Sequence, residues 1–227
     1  VFLDGFDFTL ARRFALAGDM PVLSSMAGSW QQVWLEHGPA RRTGLAGEHY
    51  ASGLDPEAAR RHSAVYFDPM HYDVWSQATT ITPAISQLPL SNVVFDLTYF
   101  DLEKSPATLG IVSWGAHDPG TLACASPAEL AQEIAERIGP YRASDWIYGY
   151  AWPSKDKTVE MGNALSAAVR QRSDVVQWLL TERFKDWSLA QIGISEAHSV
   201  LEALFFGVDP THPLHEDRSA QAAADGG

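Results

Sequence analysis

Residues 187–207, "WSLAQIGISEAHSVLEALFFG", change character at their midpoint. The first nine read as a strand, and "EAHSVLEALFFG" reads as a helix ending at Gly207. A strand that runs directly into a helix is the repeating unit of an α/β sheet. The same alternation recurs outward from this stretch. "VFLDG" (1–5) is a short apolar strand, and "FTLARRFALAG" (8–18) is an amphipathic helix closed by Gly18. Pro21 opens a second short helix, "PVLSSMAG", and residues 46–53 form one or two helical turns. "FDPMHYDVW" (67–75) is a loop, followed by two core strands, "NVVFDLTYF" (92–100) and "ATLGIVSW" (107–114). "SPAELAQEIAERIG" (126–139) predicts a helix with Ser126 as N-cap, Pro127 at its first position and Gly139 at its end. Between residues 158 and 184, Met161, Leu165, Val169, Val176 and Leu180 mark a long helix. The expected fold class is α/β, a mostly parallel sheet with helices on both faces.

Composition narrows the function classes. The chain has 227 residues, 46% of them apolar and 19% charged, enough for a sizeable core in one domain. A formal charge of -12 argues against nucleic acid as a partner, which would select a basic stripe, but leaves a small anionic substrate open. Cys124 is the single cysteine, so neither a disulfide framework nor a thiolate zinc cluster arises within the chain. No apolar run reaches the roughly 18 residues of a membrane span, and no signal peptide is visible; the cytoplasm is the expected compartment. The chain opens without Met inside a strand, and its last residues, 216–227, are a polar, Ala-rich tail. The expected organisation is one partial domain, 1–215, cut from a longer chain.

In an α/β sheet, ligands sit beyond the carboxyl ends of the strands. Asp4, His117 with Asp118, and the run Ser195 to His198 fall there. An aspartate at a strand end can also cap the next helix, and Asp-Pro-Gly is turn chemistry. His198 and Glu202 lie at i and i+4 and project from one helix face, where they could share a divalent cation with Glu196 nearby, or simply hydrogen-bond to each other. Three rival motifs fail. Asp4 and Asp7 are three apart rather than the two a haloacid dehalogenase loop needs, no Gly-x-Ser-x-Gly elbow occurs, and the glycines of 44–53 lack a P-loop lysine.

Taken in order, "VFLDGFD" (1–7), "TGLAGEHYASGLDPE" (43–57), "GIVSWGAHDPG" (110–120), "SPAELAQEIAERIGPY" (126–141) and "SEAHSVLEALFFGVDPTHP" (195–213) resemble the type I phosphodiesterase/nucleotide pyrophosphatase branch of the alkaline phosphatase superfamily. The resemblance covers nearly the whole chain. It implies an alkaline-phosphatase-like three-layer sandwich, incomplete at its C-terminus, and a metal-dependent phosphohydrolase acting on a small phosphate ester. Thr43 would be the nucleophile, sharing a cation with Asp4. The chain would turn tightly through Gly44 and Gly47 to let backbone approach a phosphoryl oxygen, Arg41 or Arg42 would bind the same anion, and His117 and Asp118 would lie at the substrate. Glu196, His198 and Glu202 would add metal ligands. Two divalent ions per complete site are implied, with Zn²⁺ favoured over Mn, Fe or Mg. Glu202 departs from the family, which has His there, so metal preference is in doubt. The family's later Asp-His pair and final His have no counterpart before Gly227, and His212 and His215 lie too close to the helix exit to replace them. The alternative is a catalytically incomplete or non-catalytic member that binds an anion or a partner.

Overall fold

Three strands sit at the centre because their backbones are covered on both sides. β4 (Asn92–Phe95) is buried at all four positions, with Val93 and Phe95 facing one side and Val94 the other. β5 (Thr108–Val112) and β7 (Leu189–Ile194) flank it, both parallel to it. A computed structural model provides these coordinates and describes residues 1–36, 38–63, 65–76, 84, 88–97, 100–105, 107–115, 124–146, 155–207, 209–213 and 215. β1 (Phe2–Leu3) joins the free side of β7 in parallel, and β6 (Cys124–Ser126) joins β5 antiparallel. The sheet order is β1-β7-β4-β5-β6, an α/β arrangement that is mixed but mostly parallel.

One face of this sheet packs Val93, Phe95, Ile111 and Ile192 against α5 (Leu130–Arg137) and α6 (Lys155–Trp178), through Leu130, Ile134 and Val175. The opposite face buries Val94 and Val112 with Leu97, Phe100 and Leu102, and Ala51 of α3 (Ala46–Ser52) packs there. α1 (Phe8–Ala17) begins where Asp7 accepts the Leu10 amide at 2.6 Å and stops at Gly18, whose φ of 92° is open to glycine. α2 (Pro21–Ser29) carries its proline in the first turn, where the missing N–H costs nothing. α7 (Glu196–Leu204) follows β7 directly and continues in a tighter turn, Phe205–Gly207. No described helix is long and apolar enough to cross a membrane.

Four sequence expectations change. "FDPMHYDVW" is not a plain loop: β2 (Val65–Asp68) and β3 (Asp73–Ser76) pair as an antiparallel hairpin, with the Asp68 carboxylate accepting the Met70 amide in the turn. Ser126 does not cap α5. Its backbone closes β6 against Gly110, and the helix starts at Leu130. A further short helix, α4 (Pro56–Ala59), lies where none is expected. The buried stripe of α6 runs Met161, Leu165, Ala168, Arg172 and Val175, in steps of four and three, whereas Val169 is 45% exposed. An arginine inside the apolar stripe hides its period from a search for apolar residues alone.

Candidate functional site at the carboxyl edge of the sheet

β1, β4, β5 and β7 end on the same edge of the sheet, which delivers Asp4, Asp96, Ser113 and Ser195 to it. The Asp4 amide still donates to the Ile194 carbonyl at 2.9 Å, extending the β1–β7 pairing by one residue. Gly5 then turns with a φ of 65°, and a Cβ there would lie 2.4 Å from the His198 Cα. Only glycine lets this loop and the first turn of α7 meet backbone to backbone. The contact sets His198 Nδ1 3.1 Å from Asp4 Oδ2, although 194 residues separate the two in sequence. The other ring nitrogen, Nε2, lies 2.9 Å from Glu202 Oε1.

The imidazole is thus held between two carboxylates. The hydrogen bond with Asp4 raises the His198 pKa above its ordinary value of 6.5; burial opposes the rise, and the charges of Asp4 and Glu202 reinforce it. A histidine with a raised folded-state pKa contributes stability that is fully present below the unfolded value and is lost as pH rises through the folded value. Asp4→Asn is therefore expected to lower the thermal midpoint more at pH 6 than at pH 9, measured with a chelator present. Equal losses at both pH values would contradict an ion pair at this position.

Glu202 and Asp4 approach opposite edges of the ring, so the two cannot join one His198 nitrogen around one cation. The i, i+4 pair is a hydrogen-bonded pair in this structure. Glu196 is 2% exposed, and its carboxylate is engaged by Arg172 and Tyr141 rather than by the Asp4–His198 pair. Arg172 Nε donates to Glu196 at 2.9 and 3.0 Å, and Nη1 donates to Asp96 at 2.6 Å and to the Gly193 carbonyl at 2.9 Å. Phe95, Trp114 and Tyr141 surround the guanidinium with ring centroids 5.3 to 5.9 Å away. Burial works against the Arg172 charge, yet Asp96 and Glu196 outweigh it and hold its pKa above the ordinary arginine value. Burial and the neighbouring Glu196 charge likewise push the Tyr141 hydroxyl well up, so it donates to Glu196 as a neutral phenol. Asp96 and Ser113 both take left-handed backbone, φ 55° and 56°, and Asp96 Oδ1 and Ser113 Oγ are buried with no hydrogen-bond partner among the described residues. Sequence reading missed this cluster, whose one legible signal was Arg172 among the apolar residues of α6.

Thr43 follows a 3₁₀ turn, Gly38–Arg42, and is 8% exposed. Its Oγ1 accepts the Leu45 amide at 3.0 Å, and Gly44 turns with a φ of 71°. Gly47 does not share in that turn, because it lies inside α3. Glu48 on α3 pairs with Arg61 in a buried contact, Arg61 Nη2 to Glu48 Oε1 at 3.2 Å, which anchors the segment behind Thr43. Arg41 is exposed. The Arg42 side chain, His117 and Asp118 lie outside the described residues.

Among the described residues, no group of three or more His, Cys, Asp or Glu side chains is arranged to hold a metal ion. The Asp4–His198 pair taken alone fits an edge of one coordination shell. Two ligands with bonds of about 2 Å to a shared cation lie roughly 2.9–3.4 Å apart, and these two atoms are 3.1 Å apart. Fold and site define an α/β protein with an acidic and histidine-bearing carboxyl edge. No family model matches the chain, and neither curated proteins nor solved structures give a match.

Proposed function

We propose that this protein is a metal-dependent phosphohydrolase of the phosphodiesterase/nucleotide pyrophosphatase type, on an alkaline-phosphatase-like sandwich, with Thr43 as its nucleophile. The observation that supports this reading is the 3.1 Å approach of Asp4 and His198 at the edge of the sheet where ligands bind. Asp4 and His198 are the residues that hold a divalent cation, Zn²⁺ before Mn, Fe or Mg. Such a cation supplies Lewis-acid charge that favours an ionised oxygen nucleophile. Thr43 Oγ1 attacks phosphorus, the bond to the leaving alcohol breaks, and water then removes the phosphoryl group from the threonine. The Leu45 amide, donating to Oγ1, favours its anionic form. The substrate is a small phosphate ester.

The non-catalytic reading, a fold that binds an anion or a partner, is favoured by the His198 ring, whose two nitrogens are already engaged by Asp4 and Glu202. Calorimetric titration with Zn²⁺ and Mn²⁺ decides between the two. The catalytic reading expects stoichiometric binding that weakens at least about tenfold in Asp4→Asn and in His198→Ala, in line with the loss of a ligand. It also expects affinity to fall with pH, since the proton competes with the cation for His198, whose pKa is raised. A wild-type protein that binds neither ion favours the non-catalytic reading.

A further inference from the structure

A cavity of about 360 Å³ lies between α1, α6 and α7, and Gly5, the residue packed against His198, forms part of its lining. That volume is at the lower end of small-molecule sites, roughly 300–1,000 Å³. Its walls are almost wholly hydrocarbon, supplied by Leu10 and Phe14 of α1, Leu165 of α6, and Val200 and Leu204 of α7. Among the described residues, two acidic side chains reach the lining, and both are committed elsewhere. Asp7 caps α1 by accepting the Leu10 amide, and Glu196 is held by Arg172 and Tyr141. A polar ligand entering this space would lose its water and gain little in return. On α6, Gly162 and Ser166 stand one turn apart and recess the wall, while Val169, Val200 and Phe205, 37 to 45% exposed, keep apolar surface at the solvent side. A cavity of this chemistry does not hold ordered water well, which needs two to four polar partners.

We infer that this cavity binds a single hydrocarbon chain, with the chain's polar end directed toward Asp4 and His198. Its role as a subsite for the aliphatic group of a phosphate ester rests on the phosphohydrolase reading; the binding itself does not. Each buried methylene strengthens binding by about 0.8 kcal/mol, or roughly fourfold, so affinity climbs with chain length until the cavity is filled.

The test is displacement of a fluorescent fatty acid from the full chain by octanoate, decanoate and dodecanoate, below their micelle-forming concentrations and with a chelator present. Saturable binding is expected, with affinity rising about threefold to fourfold per methylene. Ser166→Leu, which fills the recess, and Val169→Asp, which places a charge at the exposed side, are each expected to weaken binding at least tenfold. Dodecanoate is expected to raise the thermal midpoint of the wild type, while Ser166→Leu keeps a cooperative unfolding transition that dodecanoate does not shift; the retained transition separates a blocked cavity from a misfolded variant. No saturable displacement, no dependence on chain length, or wild-type affinity in both variants overturns the inference. For the subsite, an aryl dodecyl phosphodiester is expected to show a lower KM than its methyl analogue, an advantage lost in Ser166→Leu; equal KM values overturn the subsite role. Hydrolysis of neither ester would count against the phosphohydrolase reading and leave the hydrocarbon site to stand on the displacement data.

Discussion

Arg172→Met is expected to cost about 3–5 kcal/mol of folding stability, the scale seen when one partner of a buried ion pair is removed. Arg172 is 2% exposed and faces two carboxylates, so the variant leaves Asp96 and Glu196 buried beside each other with no cation between them. Domains of this size keep only about 5–15 kcal/mol in total, so the loss takes a large share of the margin. At roughly 2–4 °C per kcal/mol, the thermal midpoint should fall by about 6–20 °C. Thermal and urea unfolding measure it directly. The triple variant Arg172→Met with Asp96→Asn and Glu196→Gln should recover part of the loss, because the penalty lies in unpaired charge more than in lost packing. A cost below about 1 kcal/mol for Arg172→Met would mean the two carboxylates find another partner, or water, and that the cluster does not hold the sheet edge together.

Thr43→Ala is expected to reduce turnover of an aryl phosphodiester by about 10³-fold or more, the scale on which a covalent nucleophile acts. The methyl side chain keeps the shape of the loop but cannot bond to phosphorus. Thr43→Ser should retain part of the rate, since its hydroxyl can accept the Leu45 amide in the same way. Asp4→Ala should also lose activity, through weaker metal binding, so excess divalent ion should restore some of it. The same excess should do nothing for Thr43→Ala. The contrast separates a nucleophile from a ligand. A rate near wild type in Thr43→Ala would mark Thr43 as a loop residue stabilised by its own turn, and the proposed mechanism would fail.

Residues with strong local chemistry were legible in the chain. Gly18 and Pro21 marked helix boundaries, and the run from Trp187 to Gly207 read correctly as strand and helix because its two halves differ in local pattern. The β2–β3 hairpin was not legible, because Pro69 and the Asp residues around it dominate the local signal while the pairing is made between backbones. Ser126 carried a good cap signature and still went into β6, since a strand partner on β5 was available to its backbone. At the candidate site, Asp4 and His198 were recognisable from residue type and order. Asp96, Arg172 and Tyr141 were not: Arg172 stands out inside the apolar stripe of α6, but its partners lie 24 and 76 residues away and no local pattern names them.

By itself the sequence determined the α/β class, most element positions and the residue types able to carry chemistry, all of which depend on neighbours within a few turns of chain. Tertiary structure decided which of those residues meet. His198 reaches Asp4 because Gly5 has no side chain and admits the first turn of α7. Glu196, two residues before His198, is engaged by Arg172 and Tyr141 instead. Two adjacent carboxylates need a buried cation, and only the packing of α6 on the sheet supplies one. Charge burial is a property of the folded solid, set by contacts between residues far apart in sequence, and no local pattern of residues encodes it.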